Sequence, residues 1–295
     1  MTLDFIILGA QKAATTSVQD GLRKVPGVYM PARESPFFED PEFEQRPWLA
    51  MGSPSTVNGI KRPDILCRQD ILARVSKALP EARFIVVLRE PISRAVSAHY
   101  HLVRHARLPY RTLNGGMRVA VDRFHGGEVS TLTSVIQFGL YGRFLRQWFD
   151  HFPRERFLLL SQRAVLDDFE GVISACCRHL RVPIPKVLPA AGQPKNVGMY
   201  DERLLRLHQL GHRLKTRDLG WGDRRKVSAN PAARVAGHAL TKLAVRASSP
   251  GTRPAALERD VRKALEEIYS PDLEALSGLV GGNAIDWTYD SSTRS

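Results

Sequence analysis

The chain has 295 residues, 43% of them hydrophobic and 25% charged, the balance of a soluble globular protein with room for one large domain or two small ones. That balance excludes a disordered chain, a collagen-like repeat and a disulfide miniprotein, and no apolar run approaches the ~20 residues that span a bilayer. Lys and Arg number 43 against 30 Asp and Glu, and the formal net charge of +13 favours anionic partners: nucleic acid, an anionic membrane, or phosphate- and sulfate-bearing molecules. Cys176 and Cys177 are adjacent, and with Cys67 they make no disulfide framework, so a reducing, cytoplasmic setting is expected. No C-x-x-C or His/Cys cluster has zinc spacing, and no metal is expected.

The opening residues lack the basic start and cleavage site of a signal peptide, and Phe5 to Leu8 reads as a buried strand. A polar loop and a helix from Ser17 to Lys24 follow. Val28 to Met30 and Val57 to Ile60 are short strands on either side of an irregular stretch over 39–56, and Ile71 to Leu79 is a helix stopped by Pro80. Arg83 to Leu88 is the clearest buried strand, and Pro91 opens a helix that runs to about Arg107. Residues 108–132 read as a loop with a helical piece, Ile136 to Phe152 as a helix, Arg156 to Ser161 as a strand and Leu166 to Leu180 as a helix. Strands alternating with helices predict a parallel α/β sheet with right-handed crossovers. From about Asp201 no strand is predicted; 203–246 and 257–280 carry helical spacing.

Gly9-Ala10-Gln11-Lys12-Ala13-Ala14-Thr15-Thr16-Ser17 sits between a strand and a helix. Small residues let backbone N–H groups approach an anion, the helix N-terminus adds partial positive charge, and Lys12, Thr15 and Thr16 add donors. A nucleoside-triphosphate loop has its Lys directly before the hydroxyl residue; here Lys12 precedes Thr15 by three positions, so ATP or GTP fits poorly. A tight turn with a solvent-exposed lysine is the competing reading. The strand over 84–88 then ends in Arg89, where a magnesium-binding site would have Asp, and a cation there suits a second phosphate. Ser97 follows two helical turns on, with Arg94 between; a surface ion pair is the alternative for Arg89 alone.

Together the two motifs resemble the sulfotransferase family that uses 3′-phosphoadenosine 5′-phosphosulfate (PAPS), closest to its bacterial and heparan-sulfate (carbohydrate) type. Lys12-Ala13-Ala14-Thr15-Thr16 looks like the 5′-phosphosulfate loop, with Ser17 beside it, and Arg89 to Ser97 looks like the 3′-phosphate motif, in which Arg89 and Ser97 touch that phosphate. The resemblance continues through Tyr141 to Trp148, Phe152 to Phe157, Ile268 to Asp272, Leu276 and Trp287. It implies a P-loop-like central parallel sheet flanked by helices, with a helical C-terminal extension: one sulfotransferase domain, 1–200 as core and 201–290 as extension.

The resemblance also implies the chemistry. Arg33-Glu34-Ser35-Pro36-Phe37-Phe38-Glu39 is similar to the segment whose Glu is the base, and Glu34 enclosed by the two Phe would have a raised pKa. The family's His is Pro36 here and its Asp is Glu39. Gly59-Ile60-Lys61-Arg62-Pro63 resembles an E-K-[ST]-P segment; Lys61 matches as a catalytic candidate, while Ile60 and Arg62 do not. An ordinary loop Glu is the bland alternative, and His99, His101 and His105 are rival bases. Lys195 to Gly198 falls where relatives have a closing loop, and a plain linker competes with that reading. The basic stretch 203–226 reads as a solvated face or as peripheral contact with an anionic lipid or glycan, without a nucleic-acid motif. The expected activity is sulfuryl transfer from PAPS to a hydroxyl on a carbohydrate, glycolipid or glycosylated metabolite, without metal. A small-molecule kinase, or a catalytically inactive nucleotide- or polyanion-binding module, are the alternatives.

Overall fold

A computed structural model describes residues 3–40, 42–43, 55–192, 198–218, 225–228, 230–248 and 252–281. In chain order the elements are β1 (Phe5–Gly9), α1 (Thr15–Leu22), β2 (Val28–Tyr29), β3 (Val57–Lys61), α2 (Gln69–Ala78) and β4 (Arg83–Leu88). Next come α3 (Pro91–Arg104), α4 (Leu113–His125), α5 (Ser134–Gln137), α6 (Tyr141–His151), β5 (Phe157–Ser161), α7 (Gln162–Asp167) and α8 (Phe169–Leu180). The C-terminal part holds α9 (Glu202–Lys215), β6 (Thr216–Asp218), β7 (Arg225–Val227), α10 (Pro231–Ala247) and α11 (Arg259–Val280).

Contacts gather these elements into two compact units that interleave along the chain, whereas the sequence division at residue 200 follows chain order. The first holds Met1–Glu90, Leu140–Lys195 and Pro271–Tyr289; the second holds Pro91–Gly139, Asn196–Ser270 and Asp290–Ser295. In the first unit five parallel strands form one sheet in the order β2-β3-β1-β4-β5. The strands β1 and β4 are unbroken apolar runs because both faces of a parallel sheet are covered; every residue from Phe5 to Gly9 and from Phe84 to Leu88 is buried. Phe84 is fully buried, with the Trp148, Phe152 and Phe157 rings 5.2, 4.7 and 4.8 Å from its own. Trp148 Nε1 donates to Leu66 O at 3.0 Å, so its one polar atom is satisfied inside the core. Since all strands run the same way, the loops after β1, β3 and β4 leave from one edge of the sheet, where parallel sheets bind ligands.

Two predicted helices are each divided. The helix expected over 136–152 is α5 and α6, and the second begins where Asp272 accepts from the Gly142 and Arg143 N–H groups, both at 2.8 Å. That cap comes from residues far along the chain, which local periodicity does not register. The helix expected over 166–180 is α7 and α8, divided at Asp168, whose carboxylate caps the second by accepting from Gly171 N at 2.9 Å.

The expectation of no strand after Asp201 is corrected. In the second unit β6 and β7 pair antiparallel, Thr216 with Val227 and Asp218 with Arg225. Charged residues dominate both segments, so no alternating apolar pattern announces them. Packing of α9 on α10 is close enough that a Cβ on Gly211 would fall 2.7 Å from Gly237 O. Gln209 of α9 donates to the Val103 and Leu108 carbonyls at 2.9 and 2.8 Å, which fastens it to the end of α3.

Candidate active site

At the end of β1 the chain must pass close to the segment after β3. A Cβ on Gly9 would lie 2.9 Å from Pro63 O and 3.1 Å from Leu66 Cβ, so only glycine fits. The turn that follows holds Lys12 and Ala14 in the left-handed region, at φ 69° and 65°. Such conformations cost about 1–3 kcal/mol each for residues with a Cβ and persist where the surroundings impose them. Alternating handedness turns successive N–H groups toward one side, a concavity suited to an anion. Ala14 precedes α1 without a side-chain cap, leaving first-turn N–H groups to a ligand. Gln11 Nε2 donates to Asp64 Oδ1 at 3.1 Å, tying this loop to the residues after β3.

Arg89 leaves the end of the neighbouring strand β4, and its Nη1 donates to Lys12 O at 3.2 Å. Its own carbonyl accepts from the buried Tyr141 hydroxyl at 2.9 Å, fixing the backbone from which the guanidinium projects. Lys12 and Arg89 therefore share one edge of the first unit. Ser97 is buried on α3 of the second unit. Arg94, between them in sequence, is fully buried there and bonds Val135 O through Nη2.

The third part of the site comes from the 33–39 segment and the end of β3. Ser35 N donates to Lys61 O at 3.2 Å, laying that segment along β3. Glu34 Oε1 is 3.1 Å from Lys61 Nζ, and its Oε2 is 3.1 Å from Arg62 Nη1. Lys61 Nζ also donates to Thr16 Oγ1 at 2.8 Å. One ammonium, 3% exposed, thus joins the candidate base to the candidate phosphosulfate loop. The apolar enclosure expected for Glu34 is not what its carboxylate meets: two cations lie on it. The phenylalanines anchor the segment instead, Phe38 packing edge-on to Phe37 at 5.2 Å and against Phe43 at 5.5 Å, while Arg74 donates to Phe38 O at 2.7 Å.

Arg62 and Glu39 are the residues that motif reasoning passes over. Arg62 is 4% exposed and spans Glu34 through Nη1 and Glu39 through Nε. Burial works against its charge, but the hydrogen bond to Glu39 and the fields of Asp64, Glu39 and Glu34 outweigh it, and the guanidinium is held above its ordinary value. The signal was present as two departures of opposite charge from one family pattern, 23 residues apart.

The rival histidines have other employment in the second unit. His99 is buried, with Nε2 3.4 Å from Arg111 O; His105 Nδ1 is 3.2 Å from His212 Nε2; the His101 ring packs 4.5 Å from that of His105. Burial pushes His99 down to about 4, against its bond to Arg111 O, and burial with the nearby Arg104 charge pushes His208 to about 4. Both are therefore neutral when folded and protonate freely when unfolded. Their contribution is complete above pH ~6.5 and is lost as pH falls toward about 4. Urea unfolding at pH ~7.5 and ~5 should show the acid sample less stable by about 2 kcal/mol for each histidine; equal midpoints would refute the neutral burial of both. Lys195, Asn196, Val197, Arg224 and Trp287 lie outside the described residues.

A model of the sulfotransferase family matches residues 41–186, a span that includes Lys61 and Arg89 and begins after the phosphate loop and Glu34. Over those residues, just under half of its length, the chain is similar to the sulfotransferase family. Among curated relatives, heparan sulfate glucosamine 3-O-sulfotransferase 3B1 of Homo sapiens is 29% identical over 172 residues, covering 56% of this chain and 43% of the relative. Heparan sulfate glucosamine 3-O-sulfotransferase 6 of Mus musculus is 28% identical over 173 residues, covering 57% and 49%. The match thus spans under half the length of each relative. A crystal structure of a sulfotransferase from Alicyclobacillus acidocaldarius superposes with a TM-score of 0.60 at 20% identity, covering 95% of this chain and 96% of that one, which is agreement in fold.

Proposed function

We propose that the chain transfers the sulfuryl group of PAPS to an acceptor hydroxyl on a carbohydrate, glycolipid or glycosylated metabolite, releasing adenosine 3′,5′-bisphosphate. The observation that carries this reading is Lys61 Nζ, 2.8 Å from Thr16 Oγ1 and 3.1 Å from Glu34 Oε1. Proton acceptor, cation and anion loop stand side by side, as in-line sulfuryl transfer requires. The glucosamine sulfotransferase relatives support a sugar hydroxyl as acceptor.

In this reading Ala13, Ala14 and Ser17 line the loop while Lys12, Thr15 and Thr16 hold the 5′-phosphosulfate. The left-handed turn fits such a group, because it directs successive backbone N–H groups toward one side. Arg89 takes the 3′-phosphate; Ser97 is assigned to it on the sequence motif. Glu34 accepts the acceptor's proton as the acceptor oxygen bonds to sulfur and the bond from sulfur to the phosphate oxygen breaks. Lys12 and Lys61 stabilise the charge that collects on the departing phosphate. Metal is not assigned a part, since lysines and backbone dipoles supply the positive field. The proposed setting is cytoplasmic, with peripheral membrane contact through 203–226; Arg203, Arg206 and Arg213 are exposed on α9, and among the described residues no helix is long and apolar enough to cross a membrane.

Calorimetry tests the donor. Adenosine 3′,5′-bisphosphate should bind tightly without magnesium, whereas magnesium-dependent ATP binding would favour the kinase reading. A PAPS transfer screen over oligosaccharides, glycolipids and phenols then finds the acceptor, and no transfer to any by a bisphosphate-binding chain would favour the inactive module.

A further inference from the structure

Both oxygens of Glu34 meet a cation, Oε1 Lys61 and Oε2 Arg62, each at 3.1 Å. A carboxylate offers about four lone-pair sites, so Glu34 can be held by both cations and still accept a proton. Its two cations are not equivalent. Lys61 carries three N–H donors on a flexible stem and divides them between Thr16 of the loop and Glu34. Arg62 is a planar fork, buried, with Glu39 holding Nε while Nη1 holds Glu34.

We propose that Arg62 is a positioning residue: it keeps Glu34 fixed by Oε2, so that the carboxylate is presented in one orientation toward the acceptor. Glu39 is the tether that keeps Arg62 in place. This inference rests on the PAPS reading of the same site.

The test compares wild type with Arg62→Gln, Arg62→Lys and Glu39→Gln, measuring kcat, donor KM and calorimetric binding of adenosine 3′,5′-bisphosphate. A misplaced base costs about 100-fold in rate. Arg62→Gln should therefore lose about 100-fold in kcat, with donor KM and bisphosphate Kd within about threefold of wild type. Arg62→Lys should recover roughly a tenth or more of wild-type turnover, because a cation on Oε2 is restored. If Arg62→Gln does not fold, Glu39→Gln carries the test: it leaves Arg62 untethered and should lose about tenfold in kcat alone. Wild-type kcat in either variant, or a loss that appears in donor affinity instead of kcat, would overturn the positioning role while leaving the donor reading intact. A wild-type chain that does not bind the bisphosphate would sink the donor reading, and Arg62's role with it.

Discussion

Glu34→Gln should lower turnover by about 10²–10⁴-fold while leaving binding of adenosine 3′,5′-bisphosphate at its wild-type strength. The amide keeps the size of the side chain and one oxygen for Lys61 or Arg62, so the segment laid along β3 keeps its course. What it loses is the capacity to take a proton. Donor affinity is spared because Glu34 meets the loop only through Lys61. The measurement is single-turnover transfer from labelled PAPS beside calorimetry. Turnover within threefold of wild type would remove Glu34 from the mechanism and reopen the search for a base.

Lys12→Ala should abolish transfer, a loss of about 10³-fold, with an unchanged unfolding midpoint. The loop is held by Arg89 on the Lys12 carbonyl, by Gln11 on Asp64, by Lys61 on Thr16 and by its backbone angles, and each of these remains in the variant. Ala14 shows that alanine is accepted in a left-handed conformation two positions along. The substitution therefore removes the ammonium and little else. Lys61, with its contacts to Thr16 and Glu34, cannot take over the position. Near-normal turnover would refute the role.

Much of this was legible in one dimension. The runs Phe5–Gly9 and Phe84–Leu88 are buried on both faces, so continuous hydrophobicity marked them without any partner being known. Lys12, Arg89, Glu34 and Lys61 were found because each sits within a few residues of a strand end, where a short motif can be read. The cations on Glu34 were not, since Arg62 and Glu39 meet only when β3 lies beside the 33–39 segment. The divided helices and the β6–β7 pair escaped for a related reason: Asp272 caps from 130 residues away, and charged strands carry no apolar period. Burial of the histidines was likewise invisible, because a His on a helix looks the same whether its neighbours are solvent or α9.

The two left-handed residues in the loop after β1 bear on speed as well as on shape. A turn already bent into place has no ordering step to complete when its ligand arrives. Capture of the nucleotide should then be governed by encounter and by the attraction between a cationic chain and a polyanion, and should slow steeply as ionic strength rises. The chain carries that tension permanently, so resting durability is the quantity sacrificed for readiness.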